Sequence, residues 1–125
     1  MLFTADHVLA RITPHQSPEC ITRKVGLGNY LNSLNKVRNL PGVILSLGGH
    51  ETPIGNLPKR VEEIRVYHEQ RLNKVLDLCA LPTTIKAISR KHFGVTTGYN
   101  ALLAIAETGA HMEYLYHHGH FGSSK

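Results

Sequence analysis

Two residues that could bind a metal ion each follow a predicted β-strand. Asp6 comes directly after one short apolar segment, His50 comes just after another, and small residues surround both. Side chains at the ends of strands in α/β proteins converge on one crevice, and carboxylates and imidazoles are good ligands for a divalent cation such as zinc. Two ligands alone make a weak zinc site, because even open catalytic sites use three protein ligands. A loop aspartate that caps backbone amides, beside a partly exposed histidine, is the alternative interpretation.

The elements that would position these residues alternate along the first 57 residues, which predicts an α/β arrangement. Residues 2–9 predict a strand that runs into a loop, and residues 12–28, rich in Pro, Gly, Ser and Thr, predict a long loop. Residues 43–47 predict a short buried strand. Between them lies a helix that Pro41-Gly42 ends, with apolar residues at helical spacing: Leu31, Leu34, Val37 and Leu40.

The remaining residues, 58–125, predict three helices, and we place a domain boundary between residues 57 and 58. The first helix is long, with Asn56 as its cap and Pro58 in its first turn, and it ends at Leu81-Pro82. Its basic residues are predicted to form a solvated face: Lys59, Arg60, Arg65 and Lys74.

A short helix follows, capped by Thr83 or Thr84 and ended by Gly94. The third helix spans about residues 99–118, with Gly119 as its left-handed C-terminal cap, and His120-Phe121 is a candidate start for a final strand. Four apolar residues are predicted to lie on the inner face of the third helix: Leu102, Ile105, Met112 and Leu115.

Composition excludes several classes of protein. The 125 residues fit one compact domain, or one small domain with a substructure, and a hydrophobic share of 42% is too high for a disordered chain. No stretch approaches the roughly 20 apolar residues of a membrane helix, and the N-terminal residues lack the basic region followed by an apolar one that is typical of a secretory signal. Two cysteines, Cys20 and Cys79, are too few for a disulfide framework or a zinc ribbon. We therefore expect a soluble, cytoplasmic protein.

Six short segments occur in order along the chain: Leu2-Phe3-Thr4-Ala5-Asp6-His7, Ile12-Thr13-Pro14-His15, Tyr30-Leu31-Asn32-Ser33-Leu34, Gly49-His50-Glu51-Thr52-Pro53-Ile54, His68-x-x-Arg71-Leu72 and Ala110-His111-Met112-Glu113-Tyr114-Leu115. The first four resemble the C-terminal half of metallo-β-lactamase-fold hydrolases, and the last two resemble the small winged-helix-type domain that ends one bacterial branch of the superfamily. The resemblance implies a partial αββα sandwich over residues 1–57 and a mainly α, winged-helix-like domain over residues 58–125.

The resemblance also implies roles for individual residues. Asp6 matches the aspartate that bridges two metal ions in these enzymes, and His50 matches a ligand of the second metal in the Gly-His-Gly turn of the family. Glu51 replaces the second glycine of that turn here. Three further histidines are candidates for the neighbourhood of the cleft: His7, His15 and His68. The implied cofactor is zinc, as two divalent ions in the parent enzyme.

The main metal motif of the family, His-x-His-x-Asp-His, does not occur in this sequence. We therefore expect the chain to be a C-terminal fragment of a hydrolase, inactive alone. In the parent, activated water would attack an ester, thioester, amide or phosphodiester, in a small-molecule or RNA substrate. With half the sandwich missing, the chain is also expected to form homo-oligomers.

A winged-helix nucleic-acid-binding or interaction module is the alternative function. Its recognition helix would correspond to residues 99–118, which contain no Lys or Arg but include Glu107 and Glu113. Recognition helices contact phosphates and bases mainly through Arg, Lys, Asn and Gln. DNA binding is therefore not expected, and the histidines near the end of the chain predict at most adventitious metal capture.

Overall fold

The computed structural model describes residues 1–19, 26–80 and 83–119. Two strands and four helices occur in the described residues, and the chain divides into two compact units: Met1–Pro14 with Tyr30–His68, and His15–Asn29 with Glu69–Lys125. The elements, in chain order, are β1 Leu2–Ala5, α1 Leu27–Arg38, β2 Ser46–Gly48, α2 Leu57–Leu78, α3 Ile85–Phe93 and α4 Gly98–His117. The predicted domain boundary at residues 57–58 stays a prediction.

The first unit is built around a parallel pair of strands. β1 pairs with β2 in a register that places Leu2 opposite Ser46 and Phe3 opposite Leu47, with an irregularity before Ala5. Parallel strands cannot be joined by a tight turn, so the chain crosses over through α1. β2 is shorter than the predicted strand at residues 43–47 and begins at Ser46. The predicted α/β arrangement is therefore present as one strand–helix–strand crossover.

The core of the first unit lies where the crossover helix and α2 meet the loop after β1. The spacing of Val61 and Ile64 places both on the buried side of α2. The cap predicted for this helix is confirmed, because the Asn56 Oδ1 atom accepts a hydrogen bond of 3.1 Å from the Lys59 amide. Fully buried or nearly buried apolar side chains make up this core: Val8, Leu34, Ile54, Leu57, Val61 and Ile64.

In the second unit, α3 and α4 begin and end as the sequence predicts. The Thr84 side chain caps α3 by accepting a hydrogen bond of 3.1 Å from the Ala87 amide, and Gly94 at its end has a φ of 79°. Gly119, just after α4, has a φ of 74°, the left-handed conformation predicted for it. The predicted final strand at residues 120–121 lies outside the described residues, and with it the wing of a winged helix.

The buried face of α4 differs from the predicted one. Leu115 is buried, but Leu102 is 66% exposed and Ile105 is 37% exposed, so these two predictions are wrong. Small residues lie inward instead, and a Cβ atom on Gly109 would lie only 2.9 Å from the Pro18 side chain. The close approach of the 15–19 segment therefore selects which face of α4 is buried.

None of the helices in the described part of the chain has the length and apolar character needed to cross a membrane.

The core of the first unit predicts a large difference between two isoleucines. Ile64 is fully buried, whereas Ile44 is 84% exposed. Ile64→Ala is expected to lower the free energy of unfolding by about 2–5 kcal/mol, because it removes buried apolar surface and leaves a cavity. The matched variant Ile44→Ala is expected to change it by about 0.5 kcal/mol or less. Urea denaturation of both variants measures this, and equal losses would contradict the core as described.

Candidate metal-ligand pair

Asp6 and His50 lie together at the ends of the two parallel strands. Asp6 follows β1, His50 follows β2 after one intervening glycine, and the His50 Nε2 atom is 3.4 Å from the Asp6 Oδ1 atom. Both side chains are about two-thirds exposed, at 68% and 65%. The predicted proximity of these two side chains is therefore confirmed, whereas their role as metal ligands stays a prediction.

Gly49 allows the two loops to approach closely. Its amide donates a hydrogen bond of 2.7 Å to the Ala5 carbonyl, and a Cβ atom at this position would lie 2.6 Å from the Asp6 Oδ1 atom. Ala5 itself has a φ of 46°, an uncommon conformation for a residue with a side chain. The backbone at the end of β1 is therefore bent to present Asp6 towards the turn that carries His50.

Glu51, at the position where the turn that this segment resembles has a glycine, keeps a glycine-like backbone. Its φ of 69° is in the left-handed region. Its carboxylate accepts hydrogen bonds from the backbone amides of Arg11, at 2.7 Å, and Ile12, at 3.4 Å. The substitution therefore leaves the turn conformation accessible and adds a link from the His50 turn to the segment after β1.

Arg60 fixes that segment from the other side. Its Nε atom donates to the Leu9 carbonyl at 2.6 Å, and its Nη2 atom donates to the Ile12 carbonyl at 3.1 Å. The side chain is only 13% exposed and also pairs with Glu63 at 3.3 Å. The predicted solvated role for Arg60 is therefore wrong, because its guanidinium satisfies carbonyl groups of a loop distant in sequence.

Thr4 makes two further hydrogen bonds that the sequence pattern did not predict. Its hydroxyl lies 2.8 Å from the Val8 carbonyl and 3.2 Å from the Leu47 carbonyl, and the residue is 7% exposed. It therefore ties the loop that holds Asp6 to both strands. An isolated polar residue within a strand was the available signal, since buried hydroxyl groups almost always have a hydrogen-bond partner.

His7 and His68 serve the packing of the first unit. The His7 Nε2 atom lies 3.2 Å from the Ser33 Oγ atom, its ring meets Tyr30 edge-on at 5.3 Å, and its partial burial lowers its pKa. His68, on α2, is fully buried and has edge-on contacts with Tyr30 at 5.8 Å and Tyr67 at 5.3 Å. Both are thus part of an aromatic cluster in the first unit.

His15 belongs to the second unit and contacts a buried carboxylate there. Its Nδ1 atom is 3.3 Å from the Glu107 Oε2 atom. That carboxylate also accepts a hydrogen bond of 2.6 Å from the Gln16 amide and pairs with the Arg71 Nη1 atom at 3.0 Å. Burial raises the pKa of Glu107, although the Gln16 amide and the Arg71 charge act in the opposite direction. This network anchors the 15–19 segment to α4.

The donor set at Asp6 and His50 fits part of a metal site. Oxygen and nitrogen donors separated by 3.4 Å and open to solvent suit a divalent ion such as zinc. No third His, Cys, Asp or Glu donor joins them within ligand distance among residues 1–19, 26–80 and 83–119. A complete site would therefore need ligands beyond these two.

The close approach at Gly49 predicts a local effect on Asp6. Gly49→Ala is expected to push the Asp6 carboxylate away from His50, because the new methyl group would overlap the Oδ1 atom. Nuclear magnetic resonance (NMR) shifts of the His50 ring measure this change. Gly55→Ala is the control, since a Cβ atom there meets nothing within 4 Å. Equal shifts of the His50 ring in the two variants would contradict the contact.

Burial of Glu107 predicts a pH-dependent stability. A folded-state pKa above the ordinary 4.5 means that the protonated form is favoured on folding. The stabilisation that folding gains from the protonated Glu107 carboxyl is therefore fully present below pH 4.5 and is lost as the pH rises through the folded-state pKa of Glu107. The free energy of unfolding of the native chain, relative to Glu107→Gln, is expected to fall from pH 4.5 towards neutral pH.

Urea denaturation at several pH values measures that difference, with Glu63→Gln at a half-exposed glutamate as the control. A difference between the native chain and Glu107→Gln that stays constant with pH would show that folding does not shift the Glu107 pKa, and one that grows with pH would show that the fold favours the charged form.

Comparison with solved structures places these observations in a known fold. A metallo-beta-lactamase family protein from Thermus thermophilus matches with a TM-score of 0.83 and 30% identity over 98% of this chain. A beta-lactamase domain protein from Burkholderia ambifaria matches with a TM-score of 0.82 and 26% identity over 94% of this chain.

The match covers only part of each neighbour. The chain spans 38% of the first neighbouring chain and 36% of the second, less than two-fifths of their length. No protein-family model matches the sequence, and no curated protein matches it significantly. The fold of this chain therefore resembles a portion of a metallo-β-lactamase-family protein, with four helices and a small two-stranded sheet in its described residues.

Proposed function

We propose that this chain is the C-terminal part of a metal-dependent hydrolase of the metallo-β-lactamase superfamily and supplies Asp6 and His50 to its metal centre. The observation that carries the proposal is the approach of these two side chains to 3.4 Å at the ends of adjacent parallel strands. The similarity to part of two metallo-β-lactamase-type proteins supports it. The predicted reaction is hydrolysis of an ester, thioester, amide or phosphodiester.

The exposed face of the sheet supports the presence of a covering segment in the whole protein. Parallel sheets are normally covered on both faces, and sheets of two strands are rarely stable alone. Here Phe3 in β1 is 76% exposed, and Leu47, its register partner in β2, is only partly buried. A segment that covers this face could also carry the missing ligands. Without that segment, self-association of the chain stays a prediction.

Each residue of the pair has a defined part in the proposed centre. Asp6 would bind through a carboxylate that can bridge two ions, and His50 would bind through its imidazole. Divalent ions held there would supply Lewis-acid activation of water and of the bond to be cleaved. Glu51 and Arg60 would hold the two ligand loops in place, because their hydrogen bonds link the His50 turn, the 9–12 segment and α2. The chain alone is expected to be inactive, because the Asp6–His50 pair provides two ligands and a catalytic metal site uses at least three.

Zinc binding tests the assignment of the pair. We expect the chain to bind zinc weakly, and Asp6→Ala or His50→Ala to weaken this binding about tenfold or more, because each removes one of two donors. Equilibrium dialysis followed by elemental analysis of untagged protein measures it. His117→Ala is the matched control, since His117 is an exposed histidine at the end of α4.

Two results would contradict the proposal. The first is zinc binding that both pair variants leave unchanged or that His117→Ala reduces equally, since the metal would then be bound elsewhere. The second comes from the genomic DNA upstream of the Met1 codon, where we expect an in-frame His-x-His-x-Asp-His motif. An upstream reading frame without that motif would remove the basis for a hydrolase.

A further inference from the structure

A cavity of about 480 Å³ opens in the first unit, beside the loop network that holds His50. One wall is the Arg11–Thr13 segment, and the other is a face of α2 that includes Arg60, Glu63 and Tyr67. Its volume is within the range of small-molecule sites, which span roughly 300–1,000 Å³. Its size and its walls from two separate parts of the chain make it a candidate binding site.

Arg60 and Glu63 form a fixed wall of the cavity. The Arg60 guanidinium uses its donors on two loop carbonyls and on Glu63, at distances from 2.6 to 3.3 Å. Because Arg60 and Glu63 pair with each other, their opposite charges largely cancel at this wall. The loop and the helix are therefore held at a set separation, and an ordered wall lowers the entropy cost of binding a ligand.

Arg11 provides the charge that remains available to a ligand. Its backbone amide is bound to Glu51, but its guanidinium has no hydrogen bond or ion pair with any residue in the described part of the chain. Apolar surface lies next to it, from Ile12 and the ring of Tyr67. A guanidinium forms short, charge-assisted hydrogen bonds with carboxylates, often in pairs. The cavity therefore combines one available cation with apolar walls.

We propose that this cavity binds a small organic carboxylate, with its charge on Arg11 and its apolar body against Ile12 and Tyr67. The loop wall of the cavity is linked to the His50 turn, because the Glu51 carboxylate accepts hydrogen bonds from the Arg11 and Ile12 amides. Its biological role rests on the proposed function: the bound carboxylate would belong to a part of the substrate that lies away from the bond that is cleaved. The binding itself involves neither Asp6 nor a metal ion, so it can be tested separately.

Binding of benzoate, followed by amide NMR shifts of the full chain without metal, tests the proposal. We expect saturable shifts at residues 11–13 and 60–67, and much smaller shifts with the neutral isostere benzamide. Arg11→Gln is expected to weaken benzoate binding about tenfold, because it removes the charge-assisted hydrogen bonds. Arg11→Lys, which keeps the charge, is expected to retain part of the affinity. Lys59→Gln, on α2 but outside the cavity, is the matched control.

Several results would overturn the proposal. Shifts that do not saturate, equal binding of benzamide, or unchanged affinity in Arg11→Gln would show that no carboxylate site exists here. Tighter binding of benzylamine would assign the cavity to a cation on Glu63 instead. Arg11 is exposed and outside the core, so an unchanged spectrum of the free Arg11→Gln variant will show that its fold is intact. Failure of this test would leave the zinc test of the Asp6–His50 pair unaffected.

Discussion

The parallel pairing of β1 with β2 is the constraint on which the candidate site depends. It brings the ends of the two strands to the same edge, and Asp6 and His50 are the first candidate metal ligands beyond that edge. The pairing requires a crossover, which α1 provides, and the crossover helix then supplies part of the core beneath the strands. An aspartate and a histidine 44 positions apart in sequence meet because of this one ladder of backbone hydrogen bonds.

A second set of contacts converts that proximity into a defined geometry. Glu51 connects the His50 turn to the amides of the segment after β1, and Arg60 connects the carbonyls of that segment to α2. The loop groups involved are peptide donors and acceptors that would otherwise be satisfied by water. Since both anchoring side chains are charged, their hydrogen bonds are stronger than those between neutral groups. These contacts would resist the separation of the two loops that carry the exposed Asp6 and His50 side chains.

The sequence predicted the local features of this fold better than the tertiary ones. Strand ends, the Asn56 cap and the conformation of Gly119 follow from short-range rules, and the structure agrees with them. The inward positions of Leu102 and Ile105 and the solvated role of Arg60 were wrong, because each depends on a partner distant in sequence. Periodicity cannot show that Pro18 packs on Gly109, or that Leu9 and Ile12 offer carbonyls to a helix. Asp6 and His50 could be predicted to lie close together because each is a potential metal ligand that follows the end of a strand, and neither feature depends on a partner distant in sequence.

Under the proposed function, one covering segment would account for the exposure of both the Asp6–His50 pair and the sheet. A pair of side chains at about two-thirds exposure interacts weakly, because water screens it, and two donors hold a metal ion poorly. The apolar Phe3 side chain is left in water on a strand of the same sheet, where burial would stabilise it. A segment packed on this face would bury apolar surface, lower the local dielectric around the ligands and add the donors that the pair lacks. Under the proposed function, the same covering segment would both stabilise the sheet and complete the metal centre.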